Sequence, residues 1–145
     1  MVAKSSKVTL VAAAVRRAGL HPFPGATAGR LVNLFAATPD CTRVVPVKVV
    51  DQEREPGLNL LQRTAERLAG INAVVAFFNN GRTWYVPIAA FYSVAENNPE
   101  RTDRIYIPRS KRLGWLEQYL DDRGLRNALR TSPVVVGPRR PASTG

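Results

Sequence analysis

Residues 31–50 read LVNLFAATPDCTRVVPVKVV. This segment predicts two strands joined by a turn that contains Pro39 and Asp40, because turns favour both residue types. The second strand is rich in β-branched valine, and strand periodicity places Pro46 and Lys48 on the same face. Since proline cannot donate a hydrogen bond to a neighbouring strand, Pro46 indicates a sheet edge or a bulge at that point.

The rest of the chain alternates helix and strand patterns. Apolar residues at spacings of three and four predict helices, whereas β-branched and aromatic runs predict strands. The turn at 79–81, Asn-Asn-Gly, predicts a β-hairpin because Asn and Gly tolerate the positive φ angles required. The expected helices are 7–18, 58–69, 88–95, 111–122 and 125–129; the expected strands are 31–37, 43–50, 73–78, 82–88 and 104–107; an extended connection is expected at 20–25.

This order of elements predicts an α/β fold: a single domain with a central mixed β-sheet of about four to five strands flanked by helices. We expect the domain to span 1–132 and the Pro- and Gly-rich segment 133–145 to be a flexible tail. No apolar run reaches the roughly 18 residues of a membrane span, so we expect a cytoplasmic protein without a membrane partner. The single cysteine excludes an internal disulfide and a cysteine-based zinc site.

The charge of the chain is strongly basic and unevenly distributed. Lys and Arg number 21 and Asp and Glu number 11, which gives a net charge of +10. The first acidic residue is Asp40 and the last is Asp122. Such excess at both ends favours a nucleic-acid partner through phosphate contacts and counterion release. An anionic membrane, another acidic partner, or a basic surface that only aids solubility are the alternatives.

Residues 7–95 resemble the PD-(D/E)XK nuclease superfamily, especially archaeal Holliday-junction resolvases and intron-encoded endonucleases. In that family one strand carries an aspartate and the next carries Glu-x-Lys or Gln-x-Lys. The resemblance implies a restriction-endonuclease-like fold. It also aligns Asn33 with the aspartate, Pro46 with the first position of Glu-x-Lys, and Lys48 with the lysine. The run VVAFFNNGRTWYVPIAAF resembles the later hairpin of the family.

The replaced residues predict binding without cleavage. Family members hold Mg²⁺ with carboxylates, because this cation prefers oxygen ligands. An asparagine amide has no charge and a proline side chain has no ligand atom, so we expect no catalytic residue, no metal site and no cofactor. The leading hypothesis is a DNA-binding pseudo-nuclease, for example a phage or mobile-element regulator. Its expected DNA-contacting residues are Arg16, Arg17, Arg30, Lys48, Asn80, Arg82, Arg109, Lys111 and Arg112.

Two other functions stay open. The chain could be an active Mg²⁺-dependent endonuclease or Holliday junction resolvase, with Lys48, Asp40 and Asp51 as catalytic residues and Mg²⁺ as its cofactor. It could also be an interaction module whose basic surface meets RNA or a ribonucleoprotein. The expected partner under the leading hypothesis is double-stranded or branched DNA, and a homodimer is compatible with it.

Overall fold

The computed structural model describes residues 6–25, 31–108 and 114–131. The expected tail, 133–145, lies outside these ranges. No helix within them is long and apolar enough to cross a membrane. The elements in chain order are α1 (Lys7–Arg17), β1 (His21–Pro24), β2 (Leu34–Ala37), β3 (Val44–Asp51), β4 (Gly57–Leu61), α2 (Gln62–Gly70), β5 (Val74–Asn79), β6 (Arg82–Pro87), α3 (Ile88–Val94), β7 (Glu96–Asn97), β8 (Arg104–Pro108), a 3-10 turn (Leu116–Tyr119) and α4 (Asp121–Thr131).

A five-stranded sheet forms the centre of the fold, in the order β1-β2-β3-β5-β6. Its strands are antiparallel except for β3 and β5, which run parallel. Parallel neighbours need a long crossover, and β4 with α2 supplies it. A second, three-stranded sheet has the order β4-β8-β7. The predicted α/β fold with a central mixed sheet flanked by helices is therefore confirmed.

Helices cover both faces of the central sheet. Ser6 caps α1 by accepting a hydrogen bond from the Thr9 N–H at 3.0 Å, and α1 buries Val11 and Val15. Lys7 of α1 lies 4.9 Å from the ring centre of Phe78, so α1 packs on the face to which Phe78 points. Phe77 points to the opposite face and stacks on Phe91 of α3. The two faces of the sheet therefore have different helices as neighbours.

Pro46 occupies a point where β3 has a neighbour on one side only. It pairs with Phe35 of β2, but the parallel pairing of β3 with β5 begins at Val47. The missing N–H of the proline therefore interrupts no pairing with β5. The expected edge exists locally, although β3 as a whole lies inside the sheet.

The predicted hairpin at Asn-Asn-Gly is confirmed. Asn80 and Gly81 have φ angles of 56° and 76°, which suit a two-residue turn between β5 and β6. Asn79, by contrast, is fully buried. Its side-chain amide donates to the carbonyl oxygens of Gln52 at 2.6 Å and Glu55 at 3.0 Å. Through these two hydrogen bonds, Asn79 links the end of β5 to the loop that follows β3.

The prediction of one helix over 58–69 is wrong in its first part. Residues 57–61 form β4, which pairs with β8, and α2 begins only at Gln62. Leu58 and Leu60 are both buried in this strand, whereas Leu61 is exposed. The leucine spacing matches a helix, but pairing with a distant strand overrides local preference here.

The prediction of a helix over 111–122 is wrong for the residues that the structure describes. Gly114 and Asp121 have positive φ angles of 89° and 55°, and only a short 3-10 turn lies between them. The helix proper, α4, begins at Asp121 and continues through the segment expected at 125–129. Within α4, Gly124 approaches the backbone of Tyr119 so closely that a Cβ atom there would clash.

Candidate nucleic-acid interface

Asn33 lies directly before β2, beside the middle of β3. Its backbone N–H donates to the Val47 carbonyl at 2.9 Å. Its side-chain Oδ1 accepts the Val49 N–H at 2.6 Å. The side chain thus takes the place of a main-chain carbonyl and extends the pairing of β2 with β3. The resemblance aligned Asn33 with an aspartate, and in the structure the Asn33 amide oxygen accepts a main-chain N–H of the sheet.

Lys48 is half-buried on the sheet face that carries α3. It pairs with Val75 of β5, and two residues further on Val50 pairs with Phe77. Burial lowers the pKa of the Lys48 amine below its usual value, because a charged group loses hydration next to apolar side chains. A lysine side chain has three N–H donors on its amine, and such donors bind phosphate oxygens. Lys48 is therefore suited to a phosphate contact.

Pro46 stands two residues before Lys48 on the same face. Its side chain is buried and has no polar atom. Together with the committed oxygen of Asn33, this leaves the two family positions without a carboxylate. The residues present at these positions do not fit a Mg²⁺ ion, which requires several oxygen ligands.

The acidic residues near β3 lie at its two ends. Asp40 sits in the turn before the strand, where its carboxylate accepts hydrogen bonds from the Thr38 and Thr42 hydroxyls and the Thr42 N–H. These bonds hold the pKa of Asp40 below its usual range, with the Thr42 N–H as the main cause. Asp51 is the exposed last residue of β3, about 10 Å along the strand from Lys48 and on the opposite face.

The structure does not bring these carboxylates together. β3 has eight residues, so its ends are more than about 20 Å apart. Glu53, just beyond it, binds the Gly81 N–H at 2.7 Å and pairs with Lys7 at 3.4 Å. Within 6–25, 31–108 and 114–131, no three His, Cys, Asp or Glu side chains are grouped so that they could hold a metal ion.

The two arginines at the end of α1 have different surroundings. Arg16 is exposed and lines a groove of about 260 Å³ between α1 and β1, together with Thr9 and Asn33. Arg17 forms a two-point ion pair with Asp122 of α4, with distances of 2.6 and 2.9 Å. Only Arg16 thus adjoins Asn33, whereas Arg17 links α1 to α4.

The hairpin tip exposes two of the residues expected to contact DNA, Asn80 and Arg82. The tip is held to the body of the protein by the bond from the Gly81 N–H to Glu53. It projects from the end of the sheet where β3 finishes. The other expected residues, Arg30, Arg109, Lys111 and Arg112, lie outside the described ranges.

Sequence reasoning missed an arginine set on α4. Arg123, Arg126 and Arg130 are all exposed. Their spacing of three and four residues was a readable signal of one helix face. The predicted helices, 111–122 and 125–129, leave Arg123 and Arg130 outside, so the prediction does not place the three arginines on one helix. Arg43 was also missed: its guanidinium donates to the Leu129 carbonyl at 2.7 Å, near the end of the same helix.

Comparison with known proteins supports the fold. No protein-family model and no curated protein matches this sequence. The structure is similar to that of Hjc, a Holliday junction resolvase from the archaeal hyperthermophile Archaeoglobus fulgidus, with a TM-score of 0.55. The match covers 78% of this chain and 94% of that chain at 16% identity. The resolvase-like fold predicted from the resemblance over residues 7–95 is therefore confirmed, and at this identity the likeness concerns the fold alone.

Proposed function

We propose that this chain binds DNA on a resolvase-like fold and does not cleave it. One observation carries the proposal: the Asn33 oxygen at the family aspartate position accepts the Val49 N–H at 2.6 Å. An oxygen held in the sheet ladder, with no charge of its own, is a poor ligand for a hard cation. Pro46, at the other position, offers no ligand at all.

The same replacements favour phosphate binding. Two carboxylates beside Lys48 would repel a phosphate group, and their replacement removes that repulsion. Lys48 then contributes positive charge without a metal ion between it and the DNA. The net charge of +10 adds long-range attraction to the polyanion.

The DNA to be tested first is a four-way junction. The structure similar to this one belongs to a Holliday junction resolvase. A linear duplex of equal length is the matched comparison, since both carry the same phosphate charge per base pair. A single-stranded RNA of equal length then distinguishes DNA binding from the RNA-module alternative.

Binding of the junction should weaken steeply as salt rises. The logarithm of the association constant falls with the logarithm of salt concentration by about 0.9 for each phosphate neutralised. We expect a steep slope for both DNAs and at least equal affinity for the junction. Weak binding that is indifferent to salt, or clear preference for the RNA, would overturn the proposal.

Cleavage assays test the other half of the proposal. Junction and duplex are incubated with the wild-type protein in Mg²⁺ and in Mn²⁺, and the products are separated on a denaturing gel. We expect no strand breaks above a no-protein control. Cleavage that disappears in Asp40→Ala or Asp51→Ala would instead establish the Mg²⁺-dependent nuclease, with Asp40 and Asp51 acting as relocated carboxylates.

A further inference from the structure

Three arginines form a continuous line on the outer side of α4. We call Arg123, Arg126 and Arg130 the α4 arginine stripe. At 3.6 residues per turn, all three point within about 60° of one another and span about 10 Å along the helix. The buried side of the helix is the opposite one, made of Gly124, Leu125, Ala128 and Leu129.

The acidic residues of α4 are engaged at its first turn. Asp122 is paired with Arg17, and Asp121 accepts the Thr83 N–H at 3.4 Å. From Asp122 onward the sequence contains no further Asp or Glu. Asp122 also interacts electrostatically with Arg126, but no acidic residue later in α4 balances the charge of the stripe.

The stripe lies on the other side of the protein from Lys48. Thr83 and Tyr85 of β6 share a face with Phe78, which is the face covered by α1. A cavity of about 330 Å³ on this face is lined by residues of α1, β6 and the start of α4, Asp121 among them. Lys48 shares the opposite face with Phe77. A helix layer adds about 10 Å to this separation.

We propose that the α4 arginine stripe is a second phosphate-binding surface, which holds a DNA segment other than the one at Lys48. This inference rests on the proposed function and adds to it. Guanidinium groups bind phosphate oxygens through paired hydrogen bonds. A length of about 10 Å corresponds to about three phosphates of one strand, measured along the duplex axis. The three side chains thus match a short run of DNA backbone.

The test compares two triple variants that lose the same charge. The first replaces the stripe: Arg123→Gln, Arg126→Gln and Arg130→Gln. The control replaces three other exposed arginines: Arg63→Gln, Arg67→Gln and Arg101→Gln. Affinity for the four-way junction is measured by fluorescence anisotropy over a range of salt concentrations. Circular dichroism melting curves verify that each variant is folded.

The stripe variant should reduce the salt slope by up to about 2.7, which is three phosphate contacts at about 0.9 each. The control should change it by less than half as much. Equal effects of the two triples would overturn the inference while leaving the proposed function intact. If the triple stripe variant fails to fold, Arg126→Gln alone is expected to lower the slope by up to about 0.9, and an unchanged slope overturns the inference.

Failure of the proposed function has a different result. In that case the wild-type protein itself shows no salt-dependent DNA binding. Vesicles of anionic lipid, tested with the same variants, provide the remaining comparison. Stripe-dependent binding to the vesicles but not to the junction would overturn the assignment of the stripe to DNA.

Discussion

The side chain of Asn33 contributes to the sheet through a hydrogen bond to β3. It completes the pairing of β2 with β3 at the Val49 N–H. An aspartate at this position could make the same bond and still coordinate a cation with its second oxygen. Asparagine makes the hydrogen bond and has no negative charge to attract a cation.

Replacement of Asn33 by alanine should therefore weaken the fold. Asn33→Ala leaves the Val49 N–H without its acceptor, at an expected cost of about 1–2 kcal/mol in the free energy of unfolding. Urea denaturation measures this value. Asn33→Asp keeps an acceptor oxygen and serves as the control, with stability close to wild type at neutral pH. Equal losses in both variants would show that the bond contributes little.

The ion pair of Arg17 with Asp122 predicts a specific acid sensitivity. The hydrogen bond from Arg17 holds the pKa of Asp122 below its usual value in the folded protein. The ion pair therefore contributes fully to stability above about pH 4, which is the pKa of an aspartate in the unfolded chain. This contribution is lost as the pH falls through the lower pKa of Asp122 in the folded protein. Asp122→Asn should remove that part of the pH dependence, as measured by thermal unfolding between neutral and strongly acidic pH.

Arg17→Gln is the partner control for this prediction. It removes the same interaction from the other side, so it should reduce the acid-dependent loss by a similar amount. The double variant should then behave like either single variant, because both act on one contact. Additive effects of the two substitutions would contradict the assignment.

Most helices and strands of this protein agree with the local sequence pattern, and β4, which pairs with a distant strand, does not. The hairpin at Asn80 and Gly81 could be predicted, since its turn depends on two adjacent residues. β4 could not, because its leucines have helical spacing and their strand conformation depends on pairing with β8. The start of α4 could not be predicted either, because Asp121 adopts a positive φ angle that the sequence does not indicate.

Two helical glycines give a matched prediction at this scale. A Cβ at Gly124 would clash with the Tyr119 backbone, whereas a Cβ at Gly70 would meet no atom within 4 Å. Gly124→Ala should destabilise the protein by about 3 kcal/mol or more, because backbone must move. Gly70→Ala should be neutral or stabilise by up to about 1 kcal/mol through helix propensity. Thermal and urea unfolding of both variants test the difference, and equal stabilities would contradict the close packing of α4 on Tyr119.

The whole molecule presents basic groups on both sides of its central sheet. Lys48 shares a face with α3, whereas α4 lies on the face of α1. A branched DNA has several arms, and a protein with two separate phosphate contacts is suited to hold two of them. The expectation that the junction binds at least as tightly as the duplex follows from this arrangement.

Two independent surfaces should make independent contributions to affinity. Lys48→Ala combined with the triple substitution of the α4 arginine stripe should weaken junction binding by the product of the two separate fold-changes, because distant sites act additively in free energy. Anisotropy titrations at one fixed salt concentration measure all three variants and the wild type. The combined variant could instead bind the junction as tightly as the weaker-binding of the two separate variants. That result would show that both surfaces contact the same DNA segment.

The sequence by itself determined the order of most elements, the basic charge, and the placement of Pro46 and Lys48 on one strand face. Each of these depends on residues that are adjacent or at regular spacing. Only the tertiary structure decided that the Asn33 oxygen accepts the Val49 N–H, and that Asp51 lies on the opposite face of β3 from Lys48. These features depend on strand register and on which face a side chain occupies, and register is fixed by the packing of distant segments.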